Sequence, residues 1–168
     1  MKGYLAAVVL PLILAGGAVH AAGTSIDVKG RVVANPCTVD TDSVKKNITV
    51  PSTQAHALID PSSGGDWVNF SLDVNKCPVY LKTVTVTFTG PADKDDATTY
   101  QNTGDAKNVS LQLAASDINY GNGSTLQVNV DQSAHSATFP LAARMYSAKG
   151  GATQGSFGAV VNFDFTYQ

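Results

Sequence analysis

The sequence predicts an all-β fold through its acids, its commonest residues and its periodicity. All 13 acidic residues are aspartates, although glutamate is the acid that helices use freely on exposed faces, where it loses little entropy. Valine, threonine, asparagine and glycine are abundant, and these are the residues of pleated strands and tight turns. Apolar and polar residues then alternate with a period of two over much of the chain, which turns one face of each segment inward and the other toward water. At 168 residues the chain has the length of one ordinary domain. Its 11 basic and 13 acidic side chains leave a net charge of −2, which argues against a nucleic-acid binder working through a basic surface.

Residues 1–21 read as an export signal rather than as part of the fold. Met1-Lys2 gives a positive start, the run from 4 to 19 is uncharged and mostly apolar, and Val19 and Ala21 are the small residues a signal peptidase reads. Pro11 and Gly16-Gly17 break the run, whereas a membrane span needs about 20 unbroken apolar residues. Export puts Cys37 and Cys77, the two cysteines of the chain, in an oxidising compartment. They read as a structural disulfide, worth about 4 kcal/mol for the loop of about 40 residues that it closes. A metal site needs three or four ligands at usable spacing, and beyond residue 21 the histidines are His56 and His135, in no ligand motif.

The strands follow in order. Over 25–32, Ile26, Val28, Gly30 and Val32 face one way and Ser25, Asp27, Lys29 and Arg31 the other. Asn35-Pro36 interrupts, Cys37-Thr38-Val39 begins the next strand, and 47–50 is a short one ended by Pro51. A polar stretch with Pro61 and Gly64-Gly65 leads to strands at 66–74 and at 81–89, the latter setting Val84, Val86 and Phe88 against a row of threonines. Strands at 108–113, 126–130 and 137–146 come next, and 157–167 is the last. Gly90-Pro91, Gly121-Asn122-Gly123 and Gly150-Gly151 supply turns between them. Short strands at this spacing make a sandwich or a barrel.

The two end strands stand apart. The last aligns Phe157, Ala159, Val161, Phe163, Phe165 and Tyr167 on one face, with nothing after it to pair its far edge. A long apolar edge strand is an aggregation hazard and is expected to be covered. The strand at 25–32 carries its apolar face on an arm set off by Asn35-Pro36. Pairing of the two within one chain and pairing with other chains are both open on pattern alone.

Catalytic chemistry finds no anchor. G-x-S-x-G, H-E-x-x-H, G-x-G-x-x-G and the P-loop are all missing, so no enzyme activity and no cofactor are expected. Asp93-Lys94-Asp95-Asp96 lacks the glycine and distal glutamate of a calcium loop and reads as a solvated loop. Trp67, at the start of a strand, reads as a core or rim residue rather than a sugar-stacking one.

Several of these segments together resemble the chaperone–usher pilins. They are the alternating arm with central Gly30, the run Val33-Ala34-Asn35-Pro36-Cys37-Thr38-Val39, Asn75-Lys76-Cys77-Pro78, and the alternating last strand ending in Tyr167-Gln168. Tyr100-Gln101-Asn102-Thr103-Gly104, Phe139-Pro140-Leu141 and Gly150-Gly151-Ala152-Thr153-Gln154-Gly155 look like the minor adaptor subunits of that family. The resemblance implies an incomplete immunoglobulin-like β-sandwich that lacks its C-terminal strand, with 22–35 as an N-terminal donor-strand extension and 36–168 as the pilin domain. It implies donor-strand complementation, a form of strand addition. Thr24, Ile26, Val28, Gly30 and Val32 form the donor strand, with Gly30 where the groove is too shallow for a side chain. Phe157, Ala159, Val161, Phe163, Phe165 and Tyr167 edge the acceptor groove, and the Gln168 carboxylate anchors to a periplasmic chaperone. The implied partners are neighbouring fimbrial subunits, that chaperone and an outer-membrane usher, with no nucleic acid and no small-molecule substrate. The implied route runs through the periplasm to an extracellular fimbrium. A minor tip or adaptor subunit is the expected role, since the chain has no room for a receptor domain ahead of the pilin domain. The alternatives are a major rod pilin of the same fold and a self-complemented immunoglobulin-like carbohydrate-binding protein.

Overall fold

The computed structural model describes Lys29 and residues 36–168. The proposed arm residues Thr24, Ile26, Val28, Gly30 and Val32, and the signal segment, lie outside the described residues. Ten strands form two antiparallel sheets: β1 (Thr38–Val39), β2 (Ser63–Gly64), β3 (Val68–Asn75), β4 (Thr83–Thr89), β5 (Tyr100–Gln101), β6 (Ser110–Ala115), β7 (Ile118–Asn119), β8 (Thr125–Asn129), β9 (Ala137–Ser147) and β10 (Asn162–Tyr167). The larger sheet runs β1-β3-β9-β6-β5, with β2 added on β9 and β7 on β6; the smaller runs β10-β4-β8. A one-turn helix, α1 (Thr41–Val44), is capped by Asp40, whose Oδ1 accepts from the Asp42 N–H at 3.0 Å.

The alternation read from the sequence sets the packing. On β4 the inward residues Val84, Val86 and Phe88 are fully buried, while the threonines between them are partly exposed. They meet Leu72 and Val74 of β3, Leu113 of β6 and Phe139 and Leu141 of β9 in one core. Cys37 and Cys77 are joined in a buried disulfide that ties the chain just before β1 to the end of β3. Pro140 sits within β9 without cost to the ladder. The pairing of β6 with β9 ends at Ala142, so a missing N–H at Pro140 leaves no β6 acceptor unpaired.

Two expected strands are shorter or absent. The last strand begins at Asn162, not at 157. Its first partner is Thr89, and one step earlier the partner would be Gly90, whose N–H is held by the Asn122 side chain at 3.1 Å, followed by Pro91, which has no N–H. The backbone upstream is instead taken by the loop at 102–106. Thr103 N–H donates to the Gly158 carbonyl at 2.7 Å, and Ala106 N–H to the Ser156 carbonyl at 3.1 Å. Residues 47–50 form no strand ladder among the described residues, although Ile48 and Val50 do turn inward from exposed Asn47 and Thr49.

Candidate functional site

A groove of about 670 Å³ opens between the two sheets. Its floor is the inner face of the larger sheet, with Phe70 of β3, Leu111 and Leu113 of β6, and Ala143 and Met145 of β9. One wall is the C-terminal segment, contributing Phe157, Ala159, Val161 and Phe163; the other is the extended stretch 46–53, contributing Ile48 and Val50. Neither 46–53 nor 157–161 takes part in a ladder among the described residues, and β10 pairs only with β4. Both walls therefore present backbone N–H and C=O groups that a further strand between them would satisfy.

The sequence-predicted edge residues fall as follows. Phe157, Ala159, Val161, Phe163, Phe165 and Tyr167 alternate inward, and all six are half-buried rather than buried. Phe163 meets Phe88 edge-on, with centroids 5.9 Å apart, and Phe165 leans on Phe139 at 5.6 Å. These contacts fix the rings to the core on one side only. Phe165 and Tyr167 share the face but lie outside the groove lining, and burial raises the Tyr167 hydroxyl above its usual pKa. Gln168 is exposed; its N–H donates to the Thr83 carbonyl at 3.0 Å, and its carbonyl accepts from Lys82 and Thr83 N–H groups at 2.8 and 3.0 Å. The chain end is thus zipped onto the start of β4.

The second wall was missed as a site by sequence reasoning. Its signal was present, since Ile48 and Val50 alternate with polar residues, but a lone short run gives no sign of which cavity it lines. Elsewhere, the Asp93–Asp96 loop is an ion-paired surface turn: Asp95 accepts from Lys94 at 2.8 Å and Lys149 at 3.0 Å. Those cations hold the exposed carboxyl of Asp95 below its ordinary pKa. Trp67 lies on the outer face of the larger sheet, 40% exposed, with the Arg144 guanidinium 4.3 Å from its ring centroid.

Comparison with known proteins places this geometry in context. The family model described as "Fimbrial protein" matches residues 26–168. The chain is 37% identical over 167 residues to Protein FimG of Escherichia coli strain K12, covering 99% of this chain and 96% of that one. It is 33% identical to S-fimbrial adhesin protein SfaS of Escherichia coli O6:K15:H31 (strain 536 / UPEC), over 93% of this chain and 96% of that one. Among solved structures, the P pilus rod subunit PapA matches with a TM-score of 0.69 at 20% identity, over 80% of this chain and 100% of that one. The fold is the immunoglobulin-like sandwich of the pilins.

Proposed function

The chain belongs to the fimbrial protein family, and from that premise we propose that it polymerises by donor-strand complementation as a minor adaptor subunit. It is a structural subunit of a chaperone–usher pilus and not an enzyme, and such subunits build extracellular pili on the cell surface. The observation that carries the proposal is the groove of about 670 Å³, whose two walls are extended backbone without ladder partners among the described residues. A strand inserted there gains hydrogen bonds on both sides and seals the half-buried row from Phe157 to Phe163.

The chain's own arm supplies the complementary part for a neighbour. Ile26, Val28 and Val32 are its knobs, each worth about 1.5–3 kcal/mol when buried; Gly30 sits over the shallow point, and Thr24 enters the pocket at the leading end. Before assembly a periplasmic chaperone occupies the groove and holds the Gln168 carboxylate, and an outer-membrane usher exchanges it for the next subunit. Residues 1–21 direct export, 22–35 are the extension and 36–168 the pilin domain. The adaptor role is supported by the adaptor-like segments at 100–104, 139–141 and 150–155.

The test is the melting temperature of the subunit without its arm, alone and with a donor peptide. The subunit alone should be unstable or aggregate, and the peptide should raise its melting temperature. A subunit that is stable alone and indifferent to peptide would falsify the proposal. In assembly, Gly30→Leu should block insertion of this arm into its neighbour while the chain's own groove still takes chaperone; normal assembly would remove the shallow-point assignment.

A further inference from the structure

The outer face of the larger sheet, opposite the groove, holds a second depression of about 730 Å³. Strand register builds it. Gln112 on β6 faces Arg144 on β9, and Trp67 stands just ahead of β3 on the same side. The next row across is Asn69, Ala142, Ala114 and Asn119. Two alanines at the centre of a sheet face leave a dish, rimmed by Trp67 and Arg144 on one side and Pro140 on the other, with an asparagine at each end.

Arg144 is held rather than loose. Its guanidinium lies 4.3 Å from the Trp67 centroid and 5.7 Å from that of Tyr146. Its Nε–H donates to Gln112 Oε1 at 2.6 Å, and Gln112 in turn donates from Nε2 to Asn119 Oδ1 at 3.0 Å. Gly64 of β2 makes room for it, since a Cβ there would fall 2.5 Å from the guanidinium carbon. Lys94 and Lys149 share Asp95, but Arg144 makes no ion pair among the described residues. Its Nη groups are the planar fork that grips a carboxylate, and among the described residues they make no hydrogen bond. Asp117 also lines the dish, beyond the alanines.

We propose that this dish binds a saccharide bearing a carboxylate. The carboxylate pairs with the Arg144 fork. Ring hydroxyls bond Asn69, Asn119 and Asp117, groups that between them donate and accept. An apolar ring face lies over the two alanine methyls and the exposed part of Trp67, the mix of apolar floor and few fixed polar groups that ligand sites use. Asp117 in the same dish disfavours a doubly charged phosphate, and neutral amides without a deep apolar pocket disfavour a lipid chain.

Trp67 is the chain's one tryptophan, so its fluorescence reports on this site directly. The subunit, complemented by donor peptide or assembled in fimbriae, is titrated with sialyl-lactose and with lactose. The same sugars are followed by saturation-transfer NMR, which does not depend on how Trp67 stacks. The expected result is saturation at about 1 mM or below with the acidic sugar and no saturation with the neutral one. Arg144→Gln should abolish binding. Gly64→Ala, which crowds the guanidinium without touching the sugar, should weaken it roughly tenfold, with the melting temperature of both variants checked against the parent. Equal binding of lactose, unchanged binding in Arg144→Gln, or no saturation up to about 10 mM overturns the proposal. Saturation by an acidic peptide alone also overturns it, in favour of a protein partner. The groove plays no part in the readout, so failure here leaves the donor-strand reading untouched.

Discussion

Ala137, Phe139, Leu141 and Ala143 alternate along β9 much as Val161, Phe163, Phe165 and Tyr167 alternate into and along β10. The first four are at most 3% exposed, and the last four are all half-buried. Side-chain pattern does not distinguish them. The difference is the number of neighbours: β9 is flanked by β3 and β6, whereas β10 has β4 alone. A period of two states which side of a strand is inward, but burial also requires a strand on each side and a sheet across. The C-terminal segment has the pattern of a core strand in the position of an edge.

The largest expected effect breaks that comparison with paired truncations. Phe139→Ala should cost about 3–5 kcal/mol in denaturant unfolding, with or without a donor peptide, because Phe139 is fully buried already. Phe163→Ala should cost less in the subunit alone, where the ring borders the groove, and its cost should climb toward the β9 value once peptide is bound. An equal cost for Phe163→Ala in both states would mean that no strand closes over that ring. Next in size is the disulfide. Replacing Cys37 and Cys77 together by serine should destabilise by about 4 kcal/mol on the chain-entropy model. Thermal melts of the oxidised and doubly substituted subunits would check this, and a change under about 1 kcal/mol would mean that the denatured state is already compact.

Much of this was legible beforehand, and the failures have a common cause. The strands β3, β4 and β9 could be read from alternation because each buries a full face, and the cysteine pair from its compartment. The start of β10 could not. Phe157 and Ala159 keep the same inward phase as Phe163, yet strand pairing stops where Gly90-Pro91 turns β4 away, a fact about the neighbour and not about the segment. Ile48 and Val50 failed in the same manner, being inward-facing without a ladder. Trp67 was read as core or rim, and it is rim. That Arg144 would lie over it follows from a register between β3 and β9 that only the folded sheet fixes.

The smallest effect sharpens the contrast between the sealed and the open parts of the molecule by pH. Tyr100 on β5 is fully buried in the core, its hydroxyl has no hydrogen-bond partner among the described residues, and burial pushes its pKa up to about 12. Tyr167, half-buried at the end of β10, is pushed up by the same cause. A phenol that resists ionising in the folded state leaves stability untouched below about pH 10. Above that the unfolded chain loses the proton first, and stability falls as the pH rises toward about 12. For Tyr100 the loss by pH 12 should be roughly 2 kcal/mol. Tyr100→Phe should match the parent at neutral pH and lose less stability over the alkaline range, measured by urea unfolding at stepped pH. If the two proteins decline in parallel, the Tyr100 hydroxyl ionises as readily folded as unfolded, and β5 would not be sealed in the way the buried ring indicates. Tyr167→Phe provides the internal contrast. Its smaller alkaline effect should grow when donor peptide is added, because a strand in the groove withdraws further water from β10, whereas the Tyr100 effect should not move.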